Sequence, residues 1–152
     1  AIPGNFDPCT YVLCDSYNRA TNKKTGKKIG MPILYYRADT GKIAFPDGTV
    51  SPAVMGTPAN RLAYIYNFFD NQQLIDFGIP WQTAATVHPM ASSGTTSAGV
   101  TIADNPKKFY DTIRDSKVSS GDKPYRADSY ILISAGFDGE YGTRDDIYNF
   151  SD

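Results

Sequence analysis

Tyr130-Ile131-Leu132-Ile133-Ser134-Ala135-Gly136-Phe137-Asp138-Gly139-Glu140-Tyr141-Gly142-Thr143-Arg144-Asp145-Asp146-Ile147-Tyr148-Asn149-Phe150 is the stretch that decides the fold. Its first residues, through Ser134, form the strongest strand signal in the chain, because β-branched and aromatic side chains fit a pleated, half-buried surface. A loop with three glycines and four acidic residues follows. The chain then returns through Ile147, Tyr148 and Phe150, so residues 146–150 are expected to lie beside the strand they come back to.

Working outward, residues 32–38 read as a second strand, carried by Ile33, Leu34, Tyr35 and Tyr36. Asp39-Thr40-Gly41 has turn chemistry, and 41–45 is expected to return as a third strand. Pro46-Asp47-Gly48 is another turn, and residues 51–58, with Pro52, Gly56 and Pro58, read as a connector. From Arg61 to Phe77 the pattern is ambiguous: Leu62, Ile65 and Phe69 fit a helix, whereas Tyr64 and Tyr66 alternate as in a strand. Asp70-Asn71 before Gln72-Gln73-Leu74-Ile75 suggests a capped short helix ended by Gly78 and Pro80. Residues 91–99 are a low-complexity loop of small residues. Asn105-Pro106 opens a helix over 106–115, with Phe109 and Ile113 on one face. Residues 1–30 show little periodicity, and Lys23, Lys24, Lys27 and Lys28 flank Gly26 in a basic turn. Strands on both sides of the helical material, joined by hairpins and not by regular βαβ alternation, predict an α+β fold with an antiparallel sheet in one domain, 1–152.

The composition excludes several classes. With 41% hydrophobic and 20% charged residues, the 152-residue chain can bury a core and is not a disordered segment. Fifteen basic against sixteen acidic side chains argue against a nucleic-acid partner. Apolar runs of only a few residues supply no membrane span, and a leader peptide is either not used or already removed. Cys9 and Cys14 are the only cysteines; their C-x4-C spacing can close a small disulfide loop and points to an oxidising compartment, with two buried thiols as the alternative. Two cysteines and one histidine do not complete a zinc site.

The chemistry lies in the C-terminal loop. Asp138, Asp145 and Asp146 bracket a glycine-containing turn, and three gathered carboxylates repel one another unless a hard cation relieves them. Calcium accepts six to eight oxygens in irregular geometry; magnesium demands a stricter octahedron. The alternative is a solvated acidic loop. An EF-hand does not fit: with Asp138 at position 1, position 12 is Asn149, where a bidentate Glu is required.

The same phrase carries a resemblance. Residues 133–150, ISAGFDGEYGTRDDIYNF, resemble the C-terminal loop of type II secretion major pseudopilins, and most of all the planctomycete-type pilin-like proteins ending in S-A-G-x-D-G-x-Y-G-T-x-D-D-I-x-N-F. Gly30 to Ala38, Pro124 to Tyr130, the Asn-Pro-Lys-Lys-Phe-Tyr helix and Ile65 to Asn71 are similar to the same group, so the likeness covers most of 30–150. It implies a pilin-like headpiece whose loop binds calcium through the side chains of Asp138, Asp145 and Asp146 and the backbone oxygens of Ala135 and Thr143. It further implies a structural subunit of a type II secretion or type IV pilus-like filament, at the periplasm or cell surface. Its partners would be other pilin or pseudopilin subunits and the assembly machinery. The apolar N-terminal helix with a Glu near its start is missing here, although Ala1-Ile2-Pro3 resembles the end of one; membrane attachment would run only through such a helix.

An enzyme is not expected. His88, the sole His, stands before Pro89 without a nucleophilic serine motif nearby. Asp145 and Asp146 are adjacent, and neighbours on a strand point to opposite faces. The second reading is an extracellular calcium-dependent module that binds carbohydrate or protein, with Trp81, Gln82 and the tyrosines stacking on sugar rings.

Overall fold

The computed structural model describes residues 12–21, 25–50, 52–55, 57–77, 89–90, 94–95, 101–102, 106–118 and 122–150. Within them helix and antiparallel sheet are mixed, as an α+β reading requires. Strands β1 (Ala20–Thr21) and β2 (Lys28–Ile29) form one hairpin, β3 (Leu34–Arg37) opens the main sheet, and four short helices follow: α1 (Pro52–Met55), α2 (Pro58–Ala63), α3 (Gln72–Phe77) and α4 (Pro106–Thr112). A 3-10 turn, Phe68–Asn71, runs directly into α3. Between α3 and α4 lie β4 (Gly94–Thr95) and β5 (Thr101–Ile102), and β6 (Tyr130–Ser134) and β7 (Ile147–Tyr148) end the chain.

The main sheet has the order β3-β6-β7, and both pairings are antiparallel. Leu34 stands opposite Ile133 and Tyr36 opposite Ile131, so the alternating side chains of both strands put one apolar face inward. Leu34, Tyr36, Ile131 and Ile133 are fully buried there. The helix α4 presents Phe109, Tyr110 and Ile113 to the same core. Phe109 sits 4.4 Å from the Tyr36 ring and 5.7 Å from Phe68, centroid to centroid. Tyr110 donates its hydroxyl to Tyr66 O at 3.0 Å, which satisfies the polar tip of a buried ring.

Two asparagine side chains finish the sheet where strands stop. On the free side of β3, Asn71 Nδ2 donates to Tyr35 O at 2.6 Å while its Oδ1 accepts from Tyr35 N at 3.3 Å. Asn149 treats β6 in the same way beyond the end of β7: its Oδ1 accepts from Leu132 N at 3.0 Å and its Nδ2 donates to Tyr130 O at 3.2 Å. A primary amide carries one donor and one acceptor side by side, so it replaces one residue of a missing strand.

Three expectations need correction. Residues 41–45 do not return as a strand on 32–38. Asp39 turns the chain by accepting Gly41 N and Lys42 N, its own N–H goes to Ile65 O, and Ala44 instead forms a parallel bridge with Tyr64. The 51–58 connector contains α1 and leads into α2, because proline at the first helical position lacks only an N–H that no helix bond would use. The residues around Asp70 begin their helical run earlier than expected, at Asn67, whose side chain accepts Phe69 N. The irregular segment 1–30 also holds the small β1–β2 hairpin. Cys9, Trp81 and His88 lie outside the described residues; Cys14 is half-buried with a free thiol, so the Cys9–Cys14 pairing is not described.

Phe109→Ala should lower unfolding free energy by about 3–5 kcal/mol, as removal of a fully buried ring does. Asn71→Ala should cost about 1–3 kcal/mol, because it strands the backbone groups of Tyr35. Urea titrations with an unchanged slope would check both.

Candidate functional site

The loop between β6 and β7 is built on close backbone approach. Gly136 has φ 61°, and a Cβ placed there would stand 2.1 Å from Asp145 O. The two ends of the loop therefore touch through a residue that has no side chain. Gly142, at φ 93°, lies close against Pro89 and Met90, where a Cβ would stand 2.9 Å from Met90 Cγ. Between them Tyr141 is fully buried and donates its hydroxyl to Pro32 O, which pins the middle of the loop to the chain entering β3. Asp15 adds a second tie, accepting Ser134 Oγ at 2.9 Å and Met31 N at 3.0 Å.

The three aspartates expected to act together occupy different environments. Asp145 is exposed. One of its oxygens accepts Thr143 Oγ1 at 2.6 Å and the other accepts Asp138 N at 2.8 Å. These bonds, the hydroxyl first, hold its carboxyl down at about 2. Asp138 is also exposed and accepts Glu140 N at 2.8 Å. Asp146 is only 8% exposed. Its Oδ2 accepts Gly142 N and the Tyr148 hydroxyl, each at 2.7 Å, whereas its Oδ1 is buried without a hydrogen-bond partner. Burial pushes its carboxyl up to about 6 despite those two bonds. Ala135 is buried at the end of β6, and Thr143 is half-buried. Glu140, in the same loop, is half-buried; burial and then Asp138 and Asp145 raise its carboxyl above the usual range.

Asp138 and Asp145 are thus brought together by a backbone hydrogen bond, and Asp146, the next residue, is buried. Among the described residues, no three acidic, cysteine or histidine side chains converge as a ready-made metal group. The orphaned Oδ1 of Asp146 nevertheless fits a hard cation: a buried, unpartnered carboxylate oxygen is costly, and a bound positive charge would satisfy it. Two participants were missed at the level of sequence, the hydroxyls of Thr143 and Tyr148. Tyr148 is two residues beyond Asp146 on the returning segment, a spacing that places both on one face and was available as a signal.

Compared with protein-family models, with curated proteins and with solved structures, the chain matches none.

Asp146 gives a pH prediction. Its folded-state pKa lies above the ordinary value, so between about pH 4 and 6 the folded protein keeps a proton that the unfolded chain has released. In chelator, this contribution to stability is complete below pH 4 and is lost as pH rises through 6. Relative to Asp146→Asn, the wild type should lose about 2 kcal/mol across that window, allowing for partial solvation. Urea unfolding at pH 4 and pH 7 measures the difference; equal pH profiles for both proteins would refute it. Gly136→Ala should be strongly destabilising at every pH, because the added methyl meets backbone that cannot yield.

Proposed function

We propose that this domain is the head of a pilin-like filament subunit, and that calcium locks its C-terminal loop. The observation that carries the reading is the buried, unpartnered Oδ1 of Asp146, in the same loop as the linked Asp138 and Asp145. A hard cation there would be held by the carboxylates of Asp138, Asp145 and Asp146, with the carbonyls of Ala135 and Thr143 completing its oxygen shell. Calcium supplies charge neutralisation and cross-linking, which is structural chemistry.

The residues around the loop prepare it for that role. Gly136 closes it, Tyr141 anchors it to Pro32, and the Tyr148 hydroxyl holds one oxygen of Asp146 so that the other is left in place. The likeness of 133–150 to the pseudopilin loop supplies the biological side of the reading: a periplasmic or surface filament, with other pilin-like subunits and their assembly machinery as partners. The reading assigns the loop a structural role and no catalysis.

Ligand that binds only the folded state stabilises it by about 2.7 kcal/mol at a hundredfold excess over Kd. Saturating calcium should therefore raise Tm by about 5–10 °C over chelator, and Asp145→Ala should abolish the difference. Identical melting in calcium and chelator would end the calcium reading. The filament reading has its own test. Joined to an N-terminal apolar helix with a Glu near its start, the head should self-associate in membranes or detergent; a strictly monomeric fusion would overturn it.

A further inference from the structure

On the far side of β7 from the loop glycines, Tyr125, Arg126, Tyr148, Asn149 and Phe150 line an open groove of about 550 Å³, a volume within the range of small-molecule sites. Three half-buried rings stack along it. Phe150 lies 4.5 Å from Tyr125 at an interplanar angle of 17°, and 5.1 Å from Tyr148 at 31°. Arg126 is exposed beside them. Its Nη2 donates to Asn149 O at 2.9 Å, and among the described residues its guanidinium forms no salt bridge. The rest of its hydrogen-bonding fork faces solvent at the groove.

The backbone supplies an independent observation. Arg126 has φ 52°, in the left-handed region where a side chain costs about 1 kcal/mol. The turn that holds it there is firmly built: Tyr66 donates its hydroxyl to Arg126 O, Ser129 N donates to the same oxygen, and Tyr125 N donates to Ile113 O. Glycine would fill this conformation without strain. The fold carries that strain at the arginine on the groove's rim.

The geometry points to an acidic sugar as the ligand of this groove: its carboxylate on Arg126, and its pyranose ring against the outer edge of the Tyr125–Phe150–Tyr148 stack. Charge decides the class. The groove offers the Arg126 cation, and none of the described residues that line it is acidic. Its openness and mixed polar and aromatic surface suit a ring with one apolar face and a hydroxylated rim better than a wholly apolar molecule. The Arg126 fork matches a carboxylate in a way that a lysine would not. This inference is independent of the calcium reading, although the Tyr148 hydroxyl touches both places through Asp146.

The test is titration of the whole protein with methyl glucuronide and with neutral methyl glucoside, read by saturation-transfer NMR and tyrosine fluorescence, once in calcium and once in chelator. Saturable binding of the glucuronide, with the glucoside weaker by about tenfold or more, is expected. Arg126→Gly relieves the backbone but gives up the bond to Asn149 O, so it should still melt as one cooperative transition, yet lose the glucuronide by a similar factor; Arg126→Lys should recover only part. Equal binding of the two glycosides, unchanged binding by Arg126→Gly, tighter binding of benzoate than of the glucuronide, or no saturable binding in either buffer would each overturn the assignment. Binding in calcium and chelator alike would uphold it even if the calcium reading failed.

Discussion

The pairing of β3 with β6 is the constraint on which the rest depends. It aligns Leu34 with Ile133 and Tyr36 with Ile131, and this register alone puts four apolar side chains on one face. The aromatic cluster of Phe68, Phe109 and Tyr110 packs on that face. At its other end, β6 delivers Ala135 and Gly136 directly into the acidic loop, so the core and the candidate site share one rigid strand. A one-residue slip would expose the core face and misplace the loop together.

That register is held from both flanks. Tyr35 and Leu132 face each other across the two strands; Asn71 satisfies the outer side of one, and Asn149 the outer side of the other. An edge strand with open N–H and C=O groups invites pairing with another chain. Here a side-chain amide on each flank occupies the position at which such pairing would start. These contacts join residues far apart in sequence, and no local pattern announces them.

What sequence could say followed from locality. Strands near 34–37 and 130–134 and the helix from Pro106 were legible, because β-branched runs and an Asn-Pro start act over a few residues. The expected strand at 41–45 failed because a distant residue, Ile65, takes the hydrogen bond that a hairpin would have used. The acidic loop was legible as a cluster of carboxylates around glycines. That Asp145 and Asp146 point to opposite faces was legible from their adjacency; which of them is buried was not, since that depends on which side of the returning segment meets the core. Arg126 was invisible for a related reason, since a left-handed backbone at arginine has no compositional signature.

The sheet order has a consequence for how the chain is made. The partner of Leu34–Arg37 lies about a hundred residues later, and closing so long a loop is entropically costly and slow. By contrast, β6 and β7 are joined by one short loop and can meet early once both exist. During synthesis β3 must therefore leave the ribosome and wait until Tyr130–Ser134 emerges. A nascent chain halted before Tyr130 would carry its aromatic residues with no sheet to cover them, and would be a client for chaperones in a way the finished domain is not.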